Sequence, residues 1–359
     1  MNTVRCCATL LLLLFSTVPL TAQNRGGGSL DLMIDGYGLS FGNNPRVNGI
    51  RINFRDRYLE EVNGVNLTFW QPHDDVGGTI NGLALGVVGP AADYLNGVAF
   101  GIGAPVAKQG LKGVAVGGLA VVAAGGASGI MMGGLASVTE GPLEGISLGG
   151  LASVTDGPVH GVAAGGLAAV AGPLTGIGFG GLAVVADGPI RGLTFGGLAV
   201  VAQGDIEGAH VSGLAIVGQG DITGINATGL AVVGMRDITG INTAGLAVVA
   251  SDGDIRGLTL AGLAIDAQLG SVEGLSAALY RIRTDELMGF SLAGWVDTHD
   301  MTGVSVAGFN KIQGRQNGLT IGVFNSAREL NGLQIGLLNH AANNPDGLRW
   351  LPFFNAHFD

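Results

Sequence analysis

The chain has 359 residues, of which 67 are glycine and 12% are charged, with a formal net charge of −10. Such an acidic balance argues against nucleic acid as a partner, because gripping phosphates needs a basic footprint. A mean hydropathy of +0.46 sets the chain apart from polar glycine-rich linkers and supplies enough apolar material for a folded core.

Residues 1–22, beginning MNTVRCCATLLLLLFSTVPL, read as a secretory signal peptide: Arg5 is the positive start, Ala8 to Phe15 the apolar run, and Leu20-Thr21-Ala22 the cleavage site. Cys6 and Cys7 both lie within it, so the mature chain is expected to hold no disulfide, thiol nucleophile or cysteine-bound metal. Residues 23–48 form an N-terminal cap. Degenerate repeats occupy 49–112, regular repeats 113–273 and degenerate repeats again 274–346, and 347–359 is a C-terminal capping strand. Residues 23–359 read as one elongated domain.

The regular units open at Gly113, Gly129, Gly145, Gly161, Gly176, Gly192, Gly208, Gly224, Gly240 and Gly257. Their period is about 16 residues, and their pattern is G-[VIL]-x-[VLF]-G-G-L-A-x-V-x-x-G-[PD]-[IVL]-x. Period-two alternation and the glycine content predict an all-β chain with no helix. Leu193, Phe195, Gly197, Ala199 and Val201 share one face, and Thr194, Gly196, Leu198, Val200 and Ala202 the other. The first set is expected to be the core face. Turns read Glu140-Gly-Pro and Asp187-Gly-Pro early in the block, then Gln203-Gly-Asp and Asp252-Gly-Asp later.

Two architectures fit. In a β-solenoid each unit is one coil, and the coils stack in parallel. In an antiparallel membrane β-barrel each unit is one strand, and equivalent turns fall at alternate ends. Pro turns run through four successive units and Asp turns through the next four, with no alternation from unit to unit, which favours the solenoid. Asn310, Asn325 and Asn339 also recur at one position, as stacked ladders do.

The C-terminal units read NGLTIGVFNSARELNGLQIGLLNHAANNPDGLRWLPFFNAHF. Over about Gly303 to Phe358 this resembles exported bacterial surface-repeat proteins built from G-L-Q-I-G-L-x-N units with a Pro-aromatic-aromatic-Asn final strand. The resemblance implies an envelope or surface location and carries over no catalytic residues. The G-G-L-A-V-V block departs from it in unit length and in replacing Asn by an apolar residue.

Four constellations bear on chemistry. The turn acids Asp205, Asp221, Asp237 and Asp254 form a column in which hard cations such as Ca²⁺ find carboxylate oxygens; the simpler reading is that Asp replaces Pro142, Pro158, Pro173 and Pro189 as turn starter. Asp297 with His299, and the cluster His73-Asp74-Asp75, are candidate divalent-metal pairs. Asp266 stands on the presumed core face where regular units carry Val, so it needs a partner such as Arg281 or Arg283. Finally, Val121, Val184, Val200, Ile216, Val232, Val248 and Ile265 line up with positions given to Arg281, Asp297 and Lys311 in degenerate units, so they are expected to face outward as an apolar interface strip.

The reading is a non-enzymatic exported repeat protein, without cofactor, that associates with an envelope membrane, another envelope protein, a hydrophobic ligand or itself. The alternative is an outer-membrane β-barrel, a pore or an envelope-integrity protein. Outer membrane, cell surface and periplasm are the expected locations.

Overall fold

The computed structural model describes residues 28–72 and 77–358; the expected signal peptide and the cluster His73-Asp74-Asp75 lie outside them. The described residues are all β, with no helix. Contacts divide the chain into two compact units, Met1–Gly157 and Pro158–Asp359, and the boundary falls inside the regular repeat block.

In the second unit each regular coil has a long arm and a short arm. Ile190–Gly196 and Ala199–Ala202 make one coil, Ile206–Ser212 and Ala215–Gly218 the next. Long arm pairs with long arm and short with short, always parallel and in register. Thus Gly192 faces Gly208 and Val200 faces Ile216. This is a β-solenoid. The parallel pairing removes the barrel alternative, which requires neighbouring strands to run in opposite directions.

Glycine sets the corners. Gly192 has φ 127°, a region that a side chain disfavours. A Cβ there would point along the stack, into the carbonyl oxygen of Gly176 in the coil before. Gly197 closes the second corner under the same restriction against the carbonyl of Gly181. Coils about 4.8 Å apart leave no room for a methyl group aimed along the axis. The repeated glycines therefore mark where the chain turns, while the residues between them keep the period-two alternation.

The third corner carries Pro or Asp, and the two are interchangeable for a visible reason. Their carbonyls do the same work: Leu174 N–H donates to the Pro189 oxygen at 2.9 Å, and Ile190 N–H to the Asp205 oxygen at 2.8 Å. Proline brings no N–H of its own to satisfy. Where Asp takes over, the new N–H is met by the Asp side chain of the preceding coil: Asp221 N–H donates to Asp205 Oδ1 at 3.0 Å and Asp237 N–H to Asp221 Oδ1 at 3.2 Å.

The core reverses the expected facing. Ile190, Thr194, Gly196, Val200 and Ala202 are buried, while Leu193, Phe195 and Leu198 are 54%, 45% and 45% exposed. The expected interface strip is therefore core. Val121 in the first unit, and Val184, Val200, Ile216, Val232, Val248 and Ile265 in the second, are all at most 1% exposed. The physical reason is the thinness of the coil. A Cβ at Gly196 would already collide with the Ala199 carbonyl oxygen across the corner, so that position stays small, while Ile190, Ile206, Ile216 and His210 fill the narrow interior and Leu193, Phe195 and Leu198 are turned out. In the degenerate coils the buried column runs through Ile282, Val296 and Asn310. Arg281, Asp297 and Lys311 sit one residue away from it and face outward, which explains the misleading alignment.

Both ends of the described array carry antiparallel strands. In the first unit Ser29–Ile34 pairs antiparallel with Tyr37–Gly42, which in turn pairs parallel with Arg46–Arg55. In the second, Trp350–His357 runs antiparallel to the coil at Gly332–His340. Pro352 and the positive-φ Phe353 interrupt that last strand, devices that blunt a free sheet edge against further pairing.

Candidate functional site

The outer surface of the second unit is segregated by charge. Between its first and second glycine corners, in every coil from Gly161 to Gly332, the sequence contains no Asp, Glu, Lys or Arg. The outward side chains there include Phe179, Leu193 and Phe195, and just past the second corner Leu167, Leu198 and Leu214, each 43–54% exposed. His210 lies in the same stretch but points inward and is fully buried. In the regular coils the charges gather at the third corner: Asp187, Arg191, Asp205, Glu207, Asp221, Arg236, Asp237, Asp252, Asp254 and Arg256. The first unit carries the same exposed residues at Leu119, Leu135 and Leu151.

Beside its apolar columns the interior carries a polar one. Thr194, His210, Asn226, Asn242 and Thr259 follow one another in register and are all buried. Thr194 Oγ1 lies 2.7 Å from His210 Nδ1, and Asn226 donates to Asn242 at 2.9 Å. Burial pushes the His210 imidazole down to about 4, because the charged ring would lose its water. Further along, Asn310 donates to Asn325 at 2.8 Å and Asn325 to Asn339 at 2.7 Å, so the Asn column is a buried amide ladder. In the first unit Arg51 and Asp56 are fully buried 2.7 Å apart, with Asn53 and Asn66 donating to the same carboxylate oxygen at 2.9 Å. Burial pushes the Arg51 guanidinium below its ordinary value, against the attraction of Asp56.

The metal candidates have other occupations. In the turn column one carboxylate oxygen of Asp205, Asp221, Asp237 and Asp254 accepts the backbone N–H of the following turn. Arg236 reaches Asp205 at 2.7 Å and Asp221 at 3.3 Å, and Arg256 reaches Asp237 at 2.9 Å and also pairs with Asp254. Desolvation would raise the Asp254 carboxyl, but hydrogen bonds from the Ser271 N–H and hydroxyl, with Arg256, outweigh it and hold the group below its ordinary value. The column is thus a hydrogen-bonding edge in which two arginines bridge the four carboxylates and counter part of their charge. Asp297 accepts Arg281 at 2.8 Å and has Lys311 at 3.9 Å, while His299 is exposed. Two cations beside one carboxylate oppose a dication there. Among the described residues no three His, Cys, Asp or Glu side chains gather as a metal cluster.

Asp266 does find a partner named from sequence, Arg283 at 2.7 Å. It sits opposite Val249 on the outward side of the short arm, so the pair is a surface bridge and the core-face placement is corrected.

Sequence reasoning missed the columns through Leu193 and Phe195, which it placed in the core, whereas Leu198 is exposed as expected. A partial signal for them exists in the copies themselves. The position of Phe195 is held by Val116, Met132, Leu148, Ala164, Phe179 and Thr243, a spread from Ala to Phe. The position of Val200 ranges only from Ser to Ile. The buried column through Ala163, Gly178, Thr194, His210 and Asn226 varies as widely, so the spread separates the Phe195 position from that of Val200 and does not mark the outside by itself.

The fold and surface define a β-solenoid repeat protein with a mixed apolar and polar interior and a charge-free apolar outer face. No family model, no curated protein and no solved structure matches this chain.

Proposed function

We propose that this chain is a non-enzymatic, exported cell-envelope repeat protein whose charge-free outer face lies against the envelope membrane, leaving the Asp/Arg corner in water. The observation that carries the reading is the exposure of the uncharged Leu193, Phe195 and Leu198 columns along about 50 Å of stacked coils. Fully burying a Leu or Phe side chain is worth about 1.5–3 kcal/mol, so each half-exposed one leaves on the order of 1 kcal/mol unrealised in water. Monomers in water rarely expose a continuous patch of this size. A lipid surface supports the reading better than a reacting substrate does, because this face offers contact area without charge, acid–base pair or nucleophile. The segregated section, apolar on one side and charged at one corner, is the one that interfacial segments use to lie in a membrane plane.

The test is flotation of the purified mature chain with phosphatidylcholine vesicles, alongside washing of native membranes with carbonate and urea. Wild type is expected to float, and Phe195→Asp/Leu198→Asp to remain at the bottom of the gradient with its far-ultraviolet spectrum unchanged. A wild-type chain that stays with the aqueous fraction, monomeric or self-associated, overturns the reading.

A further inference from the structure

One part of the apolar face is a groove. The column of outward residues at the Phe195 position is a ridge where Phe179 and Phe195 stack, with ring centroids 5.4 Å apart. In register after Phe195 come Val211, Ala227, Thr243, Leu260 and Ala277, so the ridge loses its bulk. Over the adjoining corner a trough of about 640 Å³ opens, floored by Gly245, Ala261, Gly262 and Ala278 and walled by Leu260 and Leu292. Its volume falls in the range of small-molecule sites.

Leu279 completes the wall in an unusual way. It stands where the neighbouring coil has the corner Gly262, since Ala261 pairs with Ala278. It is 82% exposed, more than any other large apolar side chain among the described residues. A leucine held out in water beside a gap in a ridge is costly alone and is satisfied by something lying in the gap.

The trough's shape and polarity select the occupant. It draws on five successive coils, from Thr228 to Gly294, which is roughly 19 Å along the axis. No charged side chain lines it, and its two polar side chains, Thr228 and Thr243, lie together in its first two coils. We infer that the groove seats a single-tailed lipid of the fatty-acid class, its polar head at the Thr228–Thr243 end and its hydrocarbon chain running past Leu260 and Leu279 toward Leu292. The inference deepens the lipid-facing reading of this surface, yet a surface can meet a bilayer without holding one chain in a groove.

The two are separated by measuring cis-parinaric acid fluorescence and phosphatidylcholine vesicle flotation on the same purified chains. Ala277→Phe places in the trough the side chain that Phe195 already carries in the same column, so the fold accommodates it. Ala209→Phe adds the same ring at an outward position outside the trough. Wild type and Ala209→Phe are expected to bind the probe saturably, with palmitate displacing it, and Ala277→Phe to bind at least about tenfold more weakly while floating as wild type does. Equal probe affinity in all three chains, equal loss in both variants, or no saturable binding by wild type overturns the groove, whatever the vesicles show. Probe binding that survives when flotation fails upholds the groove and overturns the membrane reading instead.

Discussion

Replacing Val200 by Asp probes the most consequential feature of the fold, which side of the arm is inside. Val200 has no exposed surface and stacks between Val184 and Ile216. The substitution forfeits about 1.5–3 kcal/mol of apolar burial. It also leaves a carboxylate without a partner in an interior where even a neutral polar group costs roughly 1–3 kcal/mol unpaired. The expected loss is at least about 5 kcal/mol, the scale of a whole domain's stability. Stacked repeats open locally, so amide exchange is the sharper assay: protection should collapse across Ala199–Ala202 and the facing arms Ala183–Ala186 and Ala215–Gly218. Leu198→Asp, two residues away and 45% exposed, is the comparison, with a cost within about 1 kcal/mol. An unchanged denaturation midpoint and exchange pattern for Val200→Asp, or unfolding by Leu198→Asp, would refute the facing.

Gly192→Ala is expected to destabilise the array by several kcal/mol, because its φ of 127° and the Gly176 carbonyl both reject a Cβ; a melting temperature equal to wild type would contradict the corner geometry. Asp56→Asn should cost about 3–5 kcal/mol in the first unit by stranding the buried Arg51 charge, read by denaturant titration. Stability should also fall with acid through His210. The ring is neutral in both states above its ordinary value of 6.5, and between there and about 4 only the unfolded chain binds the proton. The stabilisation is complete above pH 6.5 and is lost as the pH drops toward 4, in total roughly 3 kcal/mol. His210→Asn, matching Asn226 below it, should flatten that part of the pH profile, and a profile unchanged by the substitution would count against it.

How much of this was legible from the chain differs from feature to feature. The glycine spacing announces the corners, since a position that must be glycine in every copy is one where a Cβ strikes backbone. The non-alternating turn signature pointed to parallel coils, and the in-register pairing of Pro-type with Asp-type turns has the same origin: either residue offers the carbonyl that the previous coil's N–H needs. Asp266 was readable as a group in need of a cation, because a charge demands a partner wherever it stands. The apolar face was misplaced. Alternation says that Leu193 and Phe195 lie together opposite Thr194 and Val200, but it is symmetric between the two sides and carries no label for inside.

Local chemistry alone therefore determined the period, the corners, the turns and, within each arm, the membership of each face, because each depends on one residue and its chain neighbours. Leu198, at the corner between the arms, left the face that alternation gave it. Which face closes on itself was settled only by tertiary packing. At the corner Gly196 already crowds the Ala199 carbonyl oxygen, and the space between the arms is filled by the Ile190, Thr194 and Val200 columns. That packing is a property of the closed coil, and it turned the leucines and phenylalanines to the outside, where the lipid-facing surface and its groove arise.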